Sequence, residues 1–554
     1  MKMSKTIKNA VLKKNDEIRL EITALTSQGS GVGRFDSMAV FVEGTAPGDI
    51  VLAHIILVKS SYAVGIIKKL IRPSKHRIAC DCGAFSSCGG CSYRHIDYAQ
   101  ELCEKRRRVK DAFERIGAID TPVGEILHGS HAERYRNKAQ YPVALTPQGK
   151  TLIGFYAKKS HRVVDCRDCL LQPAEFEGIL RVVERWAALA GVSIYDEKTK
   201  SGLLRHIYIR KGFKTGQVMV CLVMTSRFCP KSERLVEALL NENSEIKSIV
   251  LNVNPKDTNV ILSQECQTLW GEDFIEDELC SLRFRISPLS FFQVNPEGAQ
   301  ILYEKAAEYA ALTGNEVVLD LYCGTGTIGL SMAKNAKKVI GVEIIPQAIE
   351  NAKENARLNN ITNAEFFCDD ASGAAKRLSE SSTKIDVIIL DPPRKGCSRD
   401  VIDAAVRMNP ERIVYVSCDS ATLARDCAVF KSLGYETVAI TPVDMFPRTV
   451  HVETVVLLSK GEIDSKKIRV EFSLEDMDTS GFQQGATYEQ IKGRVLEQTG
   501  LKVSSLYISQ IKRKCGLEVG QSYNLSKKEN AKQPQCPPEK EKAIREAMKY
   551  FGMI

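Results

Sequence analysis

No stretch of the chain approaches the ~18 consecutive apolar residues that a membrane span requires, and Lys2, Lys5 and Lys8 lead into no apolar run of the signal-peptide kind. No membrane-spanning helix is expected, and a cytoplasmic location is. No internal repeat or low-complexity segment stands out either. Aromatic residues are few, at 7%, but 44% hydrophobic and 26% charged residues is the composition of an ordinary folded protein, not of a disordered or collagenous one. Acidic residues fall short of basic ones, 68 against 77, for a net charge of +9, and over half of the excess sits in residues 1–72. An N-terminal element suited to a polyanion follows. What the chain has in quantity is length and cysteine. Its 554 residues imply several domains. Its 18 cysteines are too many for structural disulfides in a reducing compartment, so some should be metal ligands or nucleophiles.

From Asp16 to about Leu70, short β-rich runs (Ile18–Ile22, Ala39–Val42, Asp49–Ala53) alternate with glycine turns, the pattern of a small antiparallel OB-like barrel. A cysteine cluster, Cys80 to Cys91, comes next. The charged stretch Glu101–Ile116 reads as a helix, and its Lys105-Arg106-Arg107-Arg108 run reads as a solvated face rather than an RNA contact. Residues 120–285 mix strand-like and helical runs, as an α+β domain does. From Glu316 the order becomes strand, glycine turn, helix, strand, which predicts a doubly wound parallel sheet of the α/β class, with strands at 317–320, 339–343, 387–390 and 413–416. The domains expected are therefore 1–72, 73–285, 286–460 and a helical extension, 461–554.

Three strand-to-loop junctions carry chemistry. Asp320-Leu321-Tyr322-Cys323-Gly324-Thr325-Gly326 begins a G-x-G-x-x-G that ends at Gly329, and its glycines let the backbone approach a ligand. The acidic Asp320 suits a cationic amino-acid cofactor, S-adenosylmethionine, better than a pyrophosphate. Glu343, ending the next strand, is placed to accept from a ribose diol. Asp391-Pro392-Pro393-Arg394 lies at the carboxyl edge of the sheet, where ligands bind, and its prolines stiffen it. Cys418 occupies the third junction, where a strand gives way to a helix whose N-terminus favours thiolate, and it reads as a nucleophile.

The runs D-L-Y-C-G-T-G-T-I-G-L, D-P-P-R-K-G, S-C-D-S-A-T-L-A-R-D and Phe446-Pro447-Arg448-Thr449-Val450-His451-Val452-Glu453-Thr454, in this order and spacing, resemble the RNA 5-methyluridine methyltransferases, the bacterial 23S ribosomal RNA branch in particular. The resemblance runs from the barrel to about Ser459. It implies a Rossmann-like methyltransferase domain, an RNA-binding TRAM domain for the barrel, and methylation of uridine C5 through a cysteine adduct at uracil C6. It also implies Cys418 as nucleophile, Glu453 as base, and Gln293, Tyr322, Glu343 and Asp391 as S-adenosylmethionine contacts. The family's S-C-N-P loop departs here to Asp419-Ser420, which leaves the nucleophile in place.

Cys82, Cys88 and Cys91 supply three closely spaced soft ligands, and Cys166 and Cys169 offer a fourth. The family pattern selects Cys169 and implies a [4Fe-4S] cluster; structural zinc suits the same residue types. In the tail, Thr487-Tyr488-Glu489-Gln490 has capping-box form and Ser504 caps a second helix, so that residues 488–514 resemble a helix-turn-helix with Tyr507, Gln510, Lys512, Arg513 and Lys514 partly on one face. Pro537 and Pro538 open a final helix. The expected partner is RNA, not DNA or a membrane, and the expected state is a monomer. Transfer RNA as substrate and a noncatalytic RNA-binding assembly factor are the competing readings; an intact Cys418 and Glu453 speak against the latter.

Overall fold

In Glu17-Ile18-Arg19-Leu20-Glu21 the apolar residues alternate with charged ones, and in the computed structural model Ile18 and Leu20 are buried while the three charged neighbours face solvent. The structure describes residues 12–381, 383–460, 488–501, 503–515, 536–551 and 553. The expected barrel is a six-stranded sheet in the order β1-β5-β6-β4-β3-β2, built from β1 (Glu17–Glu21), β2 (Ala24–Leu25), β3 (Gly31–Phe35), β4 (Met38–Val42), β5 (Ile50–Val58) and β6 (Tyr62–Arg72). Asp49 is fully buried and anchors its base, accepting from Ala46 N at 2.7 Å, Ser74 N at 2.8 Å and Arg77 Nη2 at 2.6 Å.

Helix α1 (Tyr98–Ala112) and strand β7 (Leu127–His128) follow in a stretch that the sequence groups with the central domain, yet β7 pairs with a strand of the C-terminal sheet, and Val109, Ala112 and Phe113 pack in that sheet's core. The central domain holds a seven-stranded sheet, β10-β9-β8-β11-β12-β13-β14, made of β8 (Lys138–Leu145), β9 (Thr151–Tyr156), β10 (Val163–Asp165), β11 (Leu204–Lys211), β12 (Val218–Met224), β13 (Ile246–Val253) and β14 (Cys266–Gly271). Helices α2 (Phe176–Ala190) and α3 (Ser232–Glu242) cover one face. The hairpin β15 (Ile275–Leu279) and β16 (Leu282–Ile286) leads out of it. No core boundary falls near residue 285, because Tyr208, Met219 and Val250 share one apolar cluster with Phe292, Leu302 and Val414.

The doubly wound sheet is eight-stranded, β19-β18-β17-β20-β21-β23-β22-β7. Its elements after α4 (Pro296–Ala310) are β17 (Val317–Leu321), α5 (Thr327–Met332), β18 (Lys338–Glu343), α6 (Pro346–Leu358), β19 (Ala364–Cys368), α7 (Ala371–Glu380), β20 (Val387–Leu390), α8 (Arg399–Arg407), β21 (Arg412–Ser417), α9 (Ser420–Ser432), β22 (Tyr435–Asp444) and β23 (Glu453–Lys460). The continuous apolar run of β20, wholly buried, is what a parallel strand covered on both faces requires.

The Lys105–Arg108 run is a brace, not the solvated face expected. Lys105 is 1% exposed and donates to Glu101 Oε1 and Asp444 Oδ1, both at 2.7 Å, and to Phe446 O at 3.1 Å. Tyr98 Oη adds a bond to Asp444 Oδ2 at 2.8 Å, Arg106 donates to Val123 O and Gly124 O, and Arg108 to Val450 O. A run of like charge is solvated by default; this one is drawn inward because acceptors from a loop more than 300 residues away in sequence meet it. Lys105→Met keeps the aliphatic stem but strands two buried carboxylates, at a cost of about 3–5 kcal/mol. A clear drop in the thermal unfolding midpoint of the variant is the expected result; an unchanged midpoint would show that the brace is dispensable.

The C-terminal unit, from Asp464 on, has its own core. Ile491 and Val495 of α10 (Tyr488–Thr499), Ile508 and Ile511 of α11 (Ser505–Lys514) and Ile544 and Met548 of α12 (Pro538–Tyr550) meet there. Ser504 caps α11 as expected, accepting from Tyr507 N at 3.3 Å, whereas Thr487 of the expected capping box lies outside the described residues. Two side chains expected on a nucleic-acid face are engaged within the unit: Gln510 accepts from Cys536 N, and Lys514 pairs with Glu541. No helix among the described residues is long and apolar enough to cross a membrane.

Candidate active site

Strands β17, β18, β20 and β21 run parallel, so Tyr322, Glu343, Asp391 and Cys418 all arrive at one edge of the sheet. Strand β23 runs antiparallel to β21 with Thr454 opposite Ser417, which sets Glu453, its first residue, beside Cys418. Two of the expected residues, 35 positions apart in sequence, are therefore neighbours by register.

Burial pushes the Cys418 thiol up, with Glu453 and Asp391 adding to it, while a hydrogen bond and the positive charge of Arg394 pull the other way. Burial and Asp391 bring Glu453, 6% exposed, to about 8 against the partial compensation of Arg394. Burial alone brings Asp391 to about 7. Arg394 thus acts on both Cys418 and Glu453, and its Nη2 lies 3.5 Å from His451 Nδ1. The expected thiolate-favouring helix end is not the dominant influence. Asp419 takes the N–H groups of Ala421 and Thr422 at 3.0 and 3.1 Å, so the first turn of α9 is already capped by a carboxylate. The departure from the family's asparagine keeps that cap.

Helix α9 also grips the D-P-P-R-K-G loop. Thr422 Oγ1 donates to Arg394 O at 3.1 Å and Arg425 Nη2 to Lys395 O at 2.9 Å. The buried Asp426 accepts from Cys397 N at 2.8 Å and Tyr415 Oη at 2.7 Å. Gly396 is in the left-handed region, φ +76°, where a Cβ would lie 2.4 Å from the Asp426 carboxylate, so only glycine fits. This clamp, which sets Arg394, is invisible in sequence although T-L-A-R-D stands beside the cysteine.

On the cofactor side, Glu343 accepts from Gly324 N at 3.2 Å through one oxygen and from Ile345 N at 3.1 Å through the other, so it shapes the glycine turn as well as facing it. Tyr322 holds a left-handed backbone, φ +67°, costly for a non-glycine residue, and its phenol reaches the Cys397 thiol. Asp320 does not stand open to a ligand: it is 1% exposed, Oδ2 accepts from Gly329 N at 2.9 Å, Oδ1 has no partner, and burial with Asp391 and Glu343 raises it to about 8. Gln293 leads into α4, whose Asn295 cap accepts from Gly298 N at 3.1 Å. The Gln293 amide bonds the buried Tyr303, whose hydroxyl lies 3.2 Å from Thr327 Oγ1. Sequence reasoning misses Tyr303, which looks like one more apolar helix position. It also passes over Phe291, which leaves 63% of its surface exposed beside Gln293. Glu343 and Asp391, carboxylates at the carboxyl edge of the sheet, fit a cationic methyl donor.

Cys82, Cys88, Cys91 and Cys169 come near enough to act on one another: Cys91 is pushed to about 12 by burial and by Cys169, Cys88 and Cys82. Cys166 donates a hydrogen bond to Cys169. Among the described residues, however, no group of three or more His, Cys, Asp or Glu side chains is arranged to hold a metal ion. The donor types, four thiols close enough to act on one another, fit a soft metal centre.

A doubly wound sheet with its chemistry at the carboxyl edge, behind a small β-barrel, is the architecture of a nucleic-acid methyltransferase with an accessory binding domain. Residues 97–461 match the family model described as tRNA (Uracil-5-)-methyltransferase, and residues 12–68 match the TRAM domain. An uncharacterized RNA methyltransferase from Clostridium tetani is 45% identical over 452 residues, 82% of this chain and 98% of that protein. One from Halalkalibacterium halodurans is 42% identical over 450 residues, 81% of this chain and 98% of that protein. Among solved structures, the Pyrococcus abyssi tRNA (uracil-54, C5)-methyltransferase in complex with S-adenosyl-L-homocysteine is 30% identical, covers 80% of this chain and 100% of its own, and superposes with a TM-score of 0.64. The chain belongs to the tRNA (Uracil-5-)-methyltransferase family of RNA methyltransferases. Residues 462–554 lie outside the family match.

Proposed function

We propose that the protein transfers the methyl group of S-adenosylmethionine to C5 of a uridine in 23S ribosomal RNA. The observation that carries the reading is the pairing of Cys418 with Glu453 across β21 and β23, with Arg394 and Asp391 against both. Uracil C5 is too weak a nucleophile to take a methyl group unaided. The Cys418 thiolate adds to C6, and the electron pair moves onto C5 and O4 as an enolate, which Arg394 is placed to stabilise. C5 then attacks the sulfonium methyl, forming the carbon–carbon bond as the carbon–sulfur bond breaks and S-adenosylhomocysteine leaves. Glu453, as carboxylate, removes the C5 proton; the double bond reforms and the Cys418–C6 bond breaks, returning the thiolate. Gln293, Tyr322, Glu343 and Asp391 hold the methyl donor. The target base must leave its stack to reach Cys418, and the exposed ring of Phe291 offers a stacking surface for a base at the mouth.

Cys82, Cys88, Cys91 and Cys169 are proposed to hold a [4Fe-4S] cluster, which would tie the loop after the barrel to the segment before α2. The methylation needs no net electron transfer, so the role is structural. Iron and sulfide analysis of protein purified without oxygen, against zinc analysis of the same sample, tests this ligand set.

The barrel and the four-cysteine set favour ribosomal RNA, whereas the Pyrococcus abyssi relative is a transfer RNA methyltransferase. Mass-spectrometric mapping after incubation with unmodified 23S RNA and, separately, unmodified transfer RNA decides between the two substrates. Methyl at uridine C5 of the ribosomal RNA is the expected result. Methyl in transfer RNA alone keeps the chemistry and overturns the substrate, and methyl in neither overturns the reading for free RNA.

A further inference from the structure

Three cations of the central domain, Arg136, Lys138 and Arg210, lie near one another, and Arg136 also acts on the Cys169 thiol. Lys138 opens β8 and stands opposite Arg210 of β11 in the antiparallel register, so the two side chains share a face. Arg136, two residues before Lys138, acts on it too: the charged groups that bear on Lys138 are Arg210 and Arg136, both positive, and with burial they bring it down to about 8. Arg210 is 1% exposed. Its Nη1 donates to Ser287 O at 3.2 Å and Ser290 O at 3.0 Å, and its ring neighbour is Tyr208 at 5.6 Å. Among the described residues its Nε and Nη2 have no partner, and neither has the buried Nε of Arg136. Glu133, the acidic residue nearest in sequence to Arg136, is taken by Arg94, and Glu175 by Lys211.

A buried guanidinium with two orphaned donors, next to a second guanidinium and an ammonium, is expensive unless an anion completes it. The position says which anion. Asn137, between Arg136 and Lys138, ties them to the Gln293 segment, donating to Val294 O at 2.8 Å through its backbone and to Gln293 O at 2.9 Å through its side chain. On the other side Arg136 lies 6.0 Å from the Phe446 ring and acts on His451, which leads to Glu453. The cations are therefore tied to the Gln293 segment on one side and, through Arg136, to the Phe446–His451 segment on the other.

We propose that Arg136, Lys138 and Arg210 form a binding site for a backbone phosphate of the RNA substrate, next to the nucleotide delivered to Cys418. Guanidinium pairs with phosphate through two parallel hydrogen bonds and an ammonium adds a point charge, a combination made for a phosphodiester held while its base is turned out. The assignment rests on RNA being the substrate. The carboxylate of the methyl donor is the other source of an oxyanion beside the Gln293 segment.

The test is filter binding of the full-length protein to unmodified 23S RNA and transfer RNA transcripts across a salt series, with S-adenosylhomocysteine affinity measured by calorimetry on the same samples. Lys138→Ala and Arg210→Gln should each weaken binding of the preferred RNA about tenfold near physiological salt and flatten the log–log salt slope by about 0.7–0.9 for each lost contact. Arg210→Lys should recover part of the affinity, and S-adenosylhomocysteine binding should stay within about twofold of wild type. If Arg210→Gln does not fold, Lys138→Ala alone carries the decision. Unchanged RNA affinity and slope in folded variants overturns the site. Loss of S-adenosylhomocysteine affinity with RNA binding intact overturns it in favour of the donor's carboxylate. Binding is read without turnover, so a protein that binds RNA through these residues but transfers no methyl to uridine C5 sinks the proposed reaction and leaves this site standing.

Discussion

Cys418→Ala is expected to lose methyl transfer by at least about 10⁴-fold, roughly 5 kcal/mol of transition-state stabilisation, with RNA and S-adenosylhomocysteine affinities little changed. The size of the effect follows from the chemistry. Without a bond to C6, C5 has no enolate electron density to offer, and the other thiols at this edge stand badly: Cys397 is buried, with its backbone N–H bonding Asp426, Cys323 is buried beside the glycine turn, and Cys368 ends β19, four strands from β21. Alanine in place of a half-buried cysteine leaves the cap of α9 to Asp419, so the fold should survive. Single-turnover assays with labelled methyl donor measure the loss. A variant that retained more than about a hundredth of wild-type activity would remove the covalent mechanism from consideration.

Glu453→Gln should behave differently, because the base acts after the methyl group has moved. The variant is expected to add to the RNA and accept the methyl group but to release product about 10²–10⁴-fold more slowly, so that a covalent, methylated protein–RNA complex survives denaturing electrophoresis. The absence of that complex, with turnover intact, would assign proton removal elsewhere. Ionisation supplies a second signature. Burial and Asp391 raise Glu453 to about 8, so below that pH the free protein holds it protonated and unable to act as a base. The Cys418 thiol is raised as well, and it too must lose a proton. Both requirements point the same way: kcat/KM should climb steeply with pH through neutrality and bend near pH 8 as Glu453 ionises, and Glu453→Gln should abolish that bend and leave only the shallower, one-proton dependence on the thiol. A flat wild-type profile between pH 6 and 8 would contradict the assignment.

Much of this is legible in the residues. The strand-to-loop junctions at Tyr322, Asp391 and Cys418 follow from apolar runs broken by glycine or proline, a local signal, and the strands lie within one or two residues of where that signal puts them. Barrel strands and helix caps are readable for the same reason: alternation and a cap are settled within a few neighbouring residues. The Lys105–Arg108 run defeats a local reading because its acceptors, Asp444, Phe446 and Val450, are remote in sequence, and a solvated cation looks the same on paper as a buried one. Arg394, Tyr303 and Asp426 escape notice likewise, since each takes its meaning from a contact with another element.

Short segments of the chain are enough to set the class of fold, the order of its domains and the chemical types available at the carboxyl edge of the sheet, because strand periodicity, turn residues and a cysteine at a strand end are local properties. Long-range packing, by contrast, was needed to put Glu453 beside Cys418, to bring Arg394 to both under the grip of α9, to gather four thiols into one neighbourhood, and to set Arg136, Lys138 and Arg210 near one another. Each of those depends on register between strands or on burial, and neither is encoded in any local pattern.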